Sequence, residues 1–288
     1  MGEETTQSAH GEVGELLSRL AQAEGFRETD LYYRPESDYR TLSLNGSPMV
    51  DPFTGSTEVR RAHGKVLRPY AVVPPRVSRA QALEIVGKRL RWSWLAPGRI
   101  RREGRREDNL RGVLIPFWTF DFTAAARYPS HAEAPGGTVQ RHFKDLLVPA
   151  SQALSQEELQ HLRPLTLESV QPFSGHHFSH FYQEHYSLDW EEAFQQAGRV
   201  AQRRLERDQR EASGSYALPG QLHMTYSDVA FKLLLMPVWI LAFPYGEGHW
   251  RALVDAQSGR LQAEVPRSPL RIAAWATLLL AALSYLLL

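Results

Sequence analysis

Gly112–Tyr128, GVLIPFWTFDFTAAARY, is rich in β-branched and aromatic residues and reads as strand. Pro116 has no N–H to give a ladder, so it marks an edge or a bulge. Within this stretch, Leu114-Ile115-Pro116-Phe117-Trp118 has a counterpart downstream in Leu235-Met236-Pro237-Val238-Trp239. Both read apolar, apolar, proline, apolar, tryptophan, and each follows a predicted helix and precedes strand. The expected fold class is α+β: a duplicated helix-plus-strand unit forming one antiparallel sheet with helices on one face.

The flanking segments fit that plan. Ser78-x-x-Gln81 is a capping box, and Ala82, Leu83, Ile85, Val86 and Leu90 form the apolar stripe of a helix that ends at Pro97-Gly98. Ser155-x-x-Glu158 opens a short helix, and Asp189 with Glu192 opens a longer one reaching about Glu211. Phe143–Pro149 reads as strand, and 221–265 as a β-meander with turns at Tyr245–Gly248 and Ala256–Gly259. Upstream, Val13, Leu16, Leu17 and Leu20 space a short amphipathic helix over 11–23, and residues 24–62 are rich in turn formers.

Composition sets outer bounds. The 288 residues are 43% hydrophobic and 23% charged, with a net charge of +1. That is a folding composition without a global field for nucleic acid, so no nucleic-acid partner is expected. The chain has no cysteine, which removes disulfides and thiolate metal sites. At the carboxyl end, Ile272–Leu288 (IAAWATLLLAALSYLLL) carries no charge, proline or glycine and follows Arg267 and Arg271. As a helix it rises about 25 Å against a hydrocarbon core of about 30 Å. The expectation is a C-terminal transmembrane helix over 269–288, with the flanking arginines on the cytoplasmic side. This would make the protein a single-pass, tail-anchored protein of a bacterial inner membrane with a cytoplasmic body.

Three constellations invite a chemical reading. The first is the scaffold of a zinc ribbon without its ligands. Ser43–Met49 reads like a knuckle with Leu42 and Asn45 in the ligand places, and Glu24 and Arg27 stand in the matching places before Asp30–Pro35. Asp51-Pro52-Phe53-Thr54-Gly55-Ser56 is an alternative knuckle, with Asp51 and Thr54 where thiolates would be. Leucine and arginine cannot ligate zinc, so hydrophobic contacts from Tyr32, Tyr33, Tyr39 and Phe53 are expected in its place. The second is a histidine-rich stretch, 175–186. There His176, His180 and Glu184 would share one helix face and hold a divalent metal, or the segment is an aromatic-rich turn packed on the core. The third is RIRREGRR, 99–106, whose Arg101, Arg102, Arg105 and Arg106, with Arg267 and Arg271, suit anionic headgroups or form a solvated loop. No nucleophile motif, P-loop or dinucleotide fingerprint occurs, and no cofactor is expected.

Several runs resemble the body of bacterial membrane-anchored zinc-ribbon proteins of the transcription-factor-IIB-type zinc-finger-like group, whose function is uncharacterised. They are Pro74–Tyr128, Asp145–Ser151 (DLLVPAS), Tyr226–Lys232 (YSDVAFK), Leu235–Trp239 and the closing hairpin Ala252–Gly259 (ALVDAQSG). The resemblance implies an N-terminal ribbon, here degenerate, then an α+β body and a C-terminal span. It also implies adaptor work beside SPFH-type or phage-shock-type membrane proteins. The chain accordingly divides into an N-terminal helix (1–23), a ribbon-like segment (24–65), a body (66–268) and an anchor (269–288). The leading expectation is a non-enzymatic, membrane-tethered adaptor or scaffold whose partners are a bilayer and a protein. The alternative is a metal-dependent enzyme or metal sensor built on the histidines.

Overall fold

The computed structural model describes residues 25–35, 37–43, 50–128, 137–161, 167, 170–174, 178–213, 223–269, 271–273, 275 and 277. Strands β1 (Phe26–Tyr33), β2 (Arg40–Ser43), β3 (Arg60–Leu67) and β4 (Ala71–Val72) lead into helices α1 (Arg79–Trp92) and α2 (Gly98–Glu103). Strands β5 (Leu110–Tyr128) and β6 (Gly137–Pro149), helix α3 (Gln156–His161) and strands β7 (Gln171–Pro172) and β8 (Phe181–His185) follow. Helix α4 (Trp190–Ser213) then precedes β9 (His223–Tyr245), β10 (Gly248–Asp255) and β11 (Leu261–Ala263). All the strands join one sheet. Its main path runs β11-β10-β9-β5-β8-β2-β1-β3, with β4, β6 and β7 paired off it.

The sheet is organised about the antiparallel pair β5 and β9. Their register sets Ile115 opposite Met236, Pro116 opposite Leu235 and Leu114 opposite Pro237. The two proline motifs therefore lie across from each other and run in opposite senses. Each proline stands where its strand changes neighbour. On β5, parallel pairing with β8 at 112–114 gives way to antiparallel pairing with β6 from Phe117. On β9, parallel pairing with β4 at 234–235 gives way to antiparallel pairing with β10 from Val238. The N and C=O of one strand residue face the same edge, so each proline nitrogen points into this seam, where no N–H is required.

The hydrogen bonds around the seams also correspond. Pro116 O accepts from Ala150 N (3.0 Å) and Pro237 O from Ala256 N (3.2 Å). Ala150 O accepts from the N–H groups of Ser187 and Leu188, and Ala256 O from those of Arg76 and Val77. Leu188 and Val77 each stand just ahead of a helix start. The start of α1 is closed by the Ser78–Gln81 capping box. At the start of α4, Asp189 Oδ1 accepts from Glu192 N at 2.9 Å. Both caps were legible from their spacing.

Helices α1 and α4 lie on the same face of the pair. Val86 and Leu90 of α1 pack with Leu110, Leu114, Trp239 and Trp250. On α4, Ala193, Ala197, Ala201 and Leu205 repeat every four residues and bring the helix close to Phe120, Phe122 and Phe231. On the opposite face, Val113, Ile115, Phe117, Met236, Val238 and Ile240 are covered by Phe53 and by Leu154 and Leu159, the latter on α3.

Three expectations need correction. The sheet is mixed, not antiparallel throughout, because β4 and β8 run parallel to their long neighbours, and its helices are not confined to one face, because α3 covers the other; a sequence repeat says nothing about strand sense. A C-terminal transmembrane helix is not found: among the described residues no helix is long and apolar enough to cross a membrane. The described start of the 269–288 segment is instead docked on the body. Ser268 N donates to Leu95 O (2.8 Å), Arg271 Nη1 donates to Trp94 O (2.7 Å), and Trp275 packs edge-on to Trp94 with ring centroids 4.7 Å apart. Hydropathy scores an isolated helix and does not register such docking. The tail anchor, the membrane assignment and the inner-membrane location drawn from it therefore do not stand. Positions 270, 274, 276 and 278–288 lie outside the described residues.

The third correction is the degenerate zinc ribbon. Strands β1, β2 and β3 belong to the large sheet through pairing of β2 with β8. Leu42 packs with Leu31 and Val66 in a small apolar cluster. Arg27 donates from Nη2 to Gln183 Oε1 at 3.2 Å. Both positions are thus committed to packing and hydrogen bonding in the sheet. Glu24, Asn45 and the expected 11–23 helix lie outside the described residues.

Candidate functional site

The turn at Asp51–Ser56 has a carboxylate at its centre. Asp51 is buried, and its oxygens accept from Phe53 N (3.0 Å), Thr54 Oγ1 (2.6 Å) and Tyr39 Oη (2.8 Å). Gly55 N closes the turn on Asp51 O at 2.8 Å, with Gly55 at φ +75°. Tyr39 meets Phe53 edge-on at 4.8 Å, and burial followed by the Asp51 charge pushes its phenol well above the usual range. The closing hairpin repeats the device. Asp255 accepts from Gln257 N (2.9 Å) and from the Ser258 hydroxyl, and Gly259 N donates to Asp255 O (2.8 Å), with Gly259 also at φ +75°. In both turns an aspartate with a hydroxyl three residues on gathers local donors, the asx-turn chemistry of such loops. The carboxylates are fully engaged in structure.

Beneath the Asp51 turn run other buried charges. Arg251 grips Glu158 through Nε at 2.6 Å and through a second, shorter contact from Nη2, and Arg251 Nη1 reaches Ala153 O at 3.0 Å. Glu184 of β8 is enclosed, and neither carboxylate oxygen has a partner in hydrogen-bond geometry among the described residues. Burial pushes it up to about 8, although Ser151 and the backbone N–H groups of Ala153 and Gln152 lie near enough to favour the ion. His185, next along the strand, is pushed down to about 4 by burial and by Arg40.

The proposed metal ligands are spread out. His180 is exposed in a turn, Glu184 is enclosed in strand, and His176 lies outside the described residues. The segment is extended from Phe181 onward, so Glu184 stands roughly 13 Å along the chain from His180. Among the described residues no group of three or more His, Asp or Glu side chains is placed to hold a metal ion.

The arginines named for anionic headgroups divide in two. Arg102 pairs with Glu103 (3.2 Å), Arg106 with Asp108 (3.5 Å), and Arg271 with the Trp94 carbonyl. Arg105 and Arg267 are exposed, and Arg101 is half-buried on α2.

A different surface stands out at the far end of α1. Trp92 is 83% exposed, and Trp94, Ile272 and Trp275 are each about half exposed beside it in the 93–97 turn and the docked C-terminal segment. Arg89 and Arg91, in the last turn of α1, and Arg267 are exposed around it. Sequence reasoning passed over this surface. Its signal was Trp92-Ser93-Trp94, two tryptophans just past the last apolar position of a capped helix, with Pro97-Gly98 closing the way.

No protein-family model matches the chain, and no solved structure matches it. It is similar to a Bacillus subtilis (strain 168) protein described as uncharacterized protein YdjG. The two are 24% identical over 242 residues, a likeness that covers 73% of this chain and 67% of the relative.

Proposed function

We propose that the protein is a non-enzymatic adaptor that captures an acidic protein surface with Trp92, Trp94, Ile272 and Trp275. The observation that carries this reading is the exposure of Trp92 two residues before Trp94, whose half-exposed ring packs on the half-exposed Trp275. Contiguous apolar exposure of this kind marks interaction surfaces, and tryptophan and arginine are the residue types richest in binding hot spots. Covering one indole is worth on the order of 4 kcal/mol before ordering costs are subtracted. The surrounding Arg89, Arg91 and Arg267 favour carboxylates in the partner and would speed its approach. The resemblance noted above makes SPFH-type and phage-shock-type proteins the first partners to test.

The test is a crosslinked pull-down comparing the wild-type chain with Trp92→Ser/Trp94→Ser, with thermal melts as the folding control. The reading expects a discrete partner recovered by the wild type, lost by the double variant and weakened as salt rises. Recovery of the same partner by a folded double variant would overturn it.

A further inference from the structure

At the opposite end of α1, about 20 Å along the helix, a cleft of ≈ 690 Å³ opens between the helix start and the first residues of β5 and β8. Its volume suits a small organic molecule. Phe181 and Trp239, both almost wholly buried, back the cleft with ring centroids 5.0 Å apart, and Trp239 is held by its indole N–H on Val77 O at 2.8 Å. Gly112 makes room for that wall, since a Cβ there would lie 2.6 Å from the Phe181 ring. The charged lining is Arg76, Arg79 and Arg111 against Asp108, with the His180 imidazole beside them.

The related corner around Trp118 shows what this space becomes when it is filled. There Trp190 takes the first helical position, which Arg79 holds in α1. Phe231 stands two residues before the residue opposite Trp118, as Leu110 stands two before the residue opposite Trp239. Trp190 and Phe231 stack at 6.3 Å and both pack on Trp118. One corner of the fold is thus closed by aromatic side chains, and its counterpart is open and lined with guanidinium groups.

The arginines of the open corner are incompletely neutralised. Among the described residues the Arg76 guanidinium has no hydrogen-bond or ion-pair partner. Arg79 pairs with Glu107 (3.3 Å) and also donates to backbone carbonyls. Asp108, the acidic group of the lining, is shared with Arg106 at 3.5 Å. Among the described residues Arg111 donates only to Asn109 O at 3.3 Å, and burial holds its guanidinium below the ordinary arginine value. An anion placed here would offset the cost of that burial.

We propose that this cleft binds a small molecule bearing a phosphate group, with Arg76, Arg79 and Arg111 on the phosphate and the attached organic part against Phe181 and Trp239. Several guanidinium groups converging on one space favour a dianion over a single carboxylate. The site is separate from the tryptophan surface, and either can fail without the other.

Calorimetric titration of the full chain with phenyl phosphate, inorganic phosphate and benzoate tests the proposal. Phenyl phosphate is expected to bind saturably and at least tenfold more tightly than inorganic phosphate or benzoate. Arg76→Ala, at an exposed residue without structural partners, is expected to weaken it about tenfold. Arg79→Trp, which copies the closed corner, is expected to abolish it in a chain that still melts cooperatively, while Arg76→Ala melts near the wild type. Absence of saturable phenyl phosphate binding to the wild type overturns the proposal. So does binding that survives unchanged in Arg76→Ala, or benzoate bound as tightly as phenyl phosphate.

Discussion

Trp118 and Trp239 perform the same task from opposite strands. Each donates its indole N–H over 2.8 Å to the carbonyl of the residue standing two positions before a helix, Leu188 ahead of α4 and Val77 ahead of α1. Each belongs to one copy of the proline motif and holds the helix that precedes the other copy, so the two halves are interlocked. A phenylalanine at either position keeps most of the packing and strands one carbonyl. Trp118→Phe and Trp239→Phe should each cost about 1–2 kcal/mol, and alanine at either about 3–5 kcal/mol. Urea denaturation of the four variants checks this, and a cost confined to one tryptophan would break the equivalence.

The pH dependence of stability should carry two opposed contributions from adjacent residues. Glu184 is raised from 4.5 to about 8, so the folded state keeps a proton that the unfolded chain has lost, and stability falls as pH rises from about 4.5 to about 8. His185 is lowered from 6.5 to about 4, so the unfolded chain takes the proton first, and stability falls as pH drops from about 6.5 to about 4. Between about 4.5 and 6.5 the two slopes oppose each other. Glu184→Gln should expose the histidine slope there, up to about 1.4 kcal/mol per pH unit, and remove the decline above 6.5. Denaturation midpoints from pH 4 to 9 measure both effects.

Glu158 and Arg251 form an enclosed ion pair with two contacts. Removing one partner leaves the other charge unpaired in a poorly hydrated place. Glu158→Ala should cost about 3–5 kcal/mol, and Glu158→Ala/Arg251→Met less than the sum of the single changes. A double-mutant cycle by chemical denaturation would show additive costs if the pair were not coupled.

Two glycines with similar backbone angles should respond differently to a methyl group. Gly55 has φ +75°, and an added Cβ would sit 2.6 Å from Ala242 O of β9. Gly246 has φ +65° with nothing within 4 Å of such an atom. Gly246→Ala should cost about 1 kcal/mol for backbone strain, and Gly55→Ala about 2–4 kcal/mol because the Asp51 turn must also lift from the sheet. Paired thermal melts compare them directly.

Local chemistry was legible wherever neighbours in sequence are also partners in space. The capping box at Ser78, the N-cap at Asp189, the glycine turns at 245–248 and 256–259, and the strand character of 112–128 all follow from contacts within a few residues. Long-range polar environments were not legible. Glu158 meets Arg251 across the fold, Arg27 meets Gln183, and Glu184 is enclosed by a loop that follows β6. No spacing rule links such positions, because each depends on which strand lies beside which. In the histidine-rich stretch the helical period does not extend to Glu184, because Phe181–His185 is drawn out as strand beside β2 and β5.

By itself the sequence determined the strand-forming character of 112–128, the starts of α1, α3 and α4, and two tryptophan motifs with a proline two residues ahead of each. Those properties arise from side-chain shape and from hydrogen bonds between near neighbours. Only the tertiary structure decided that the motifs lie opposite one another, that β4 and β8 run parallel to the long strands, and that Arg271 and Trp275 dock on Trp94. The physical reason is that register, strand sense and docking are chosen by the burial of many side chains at once, each contributing little until the rest are in place.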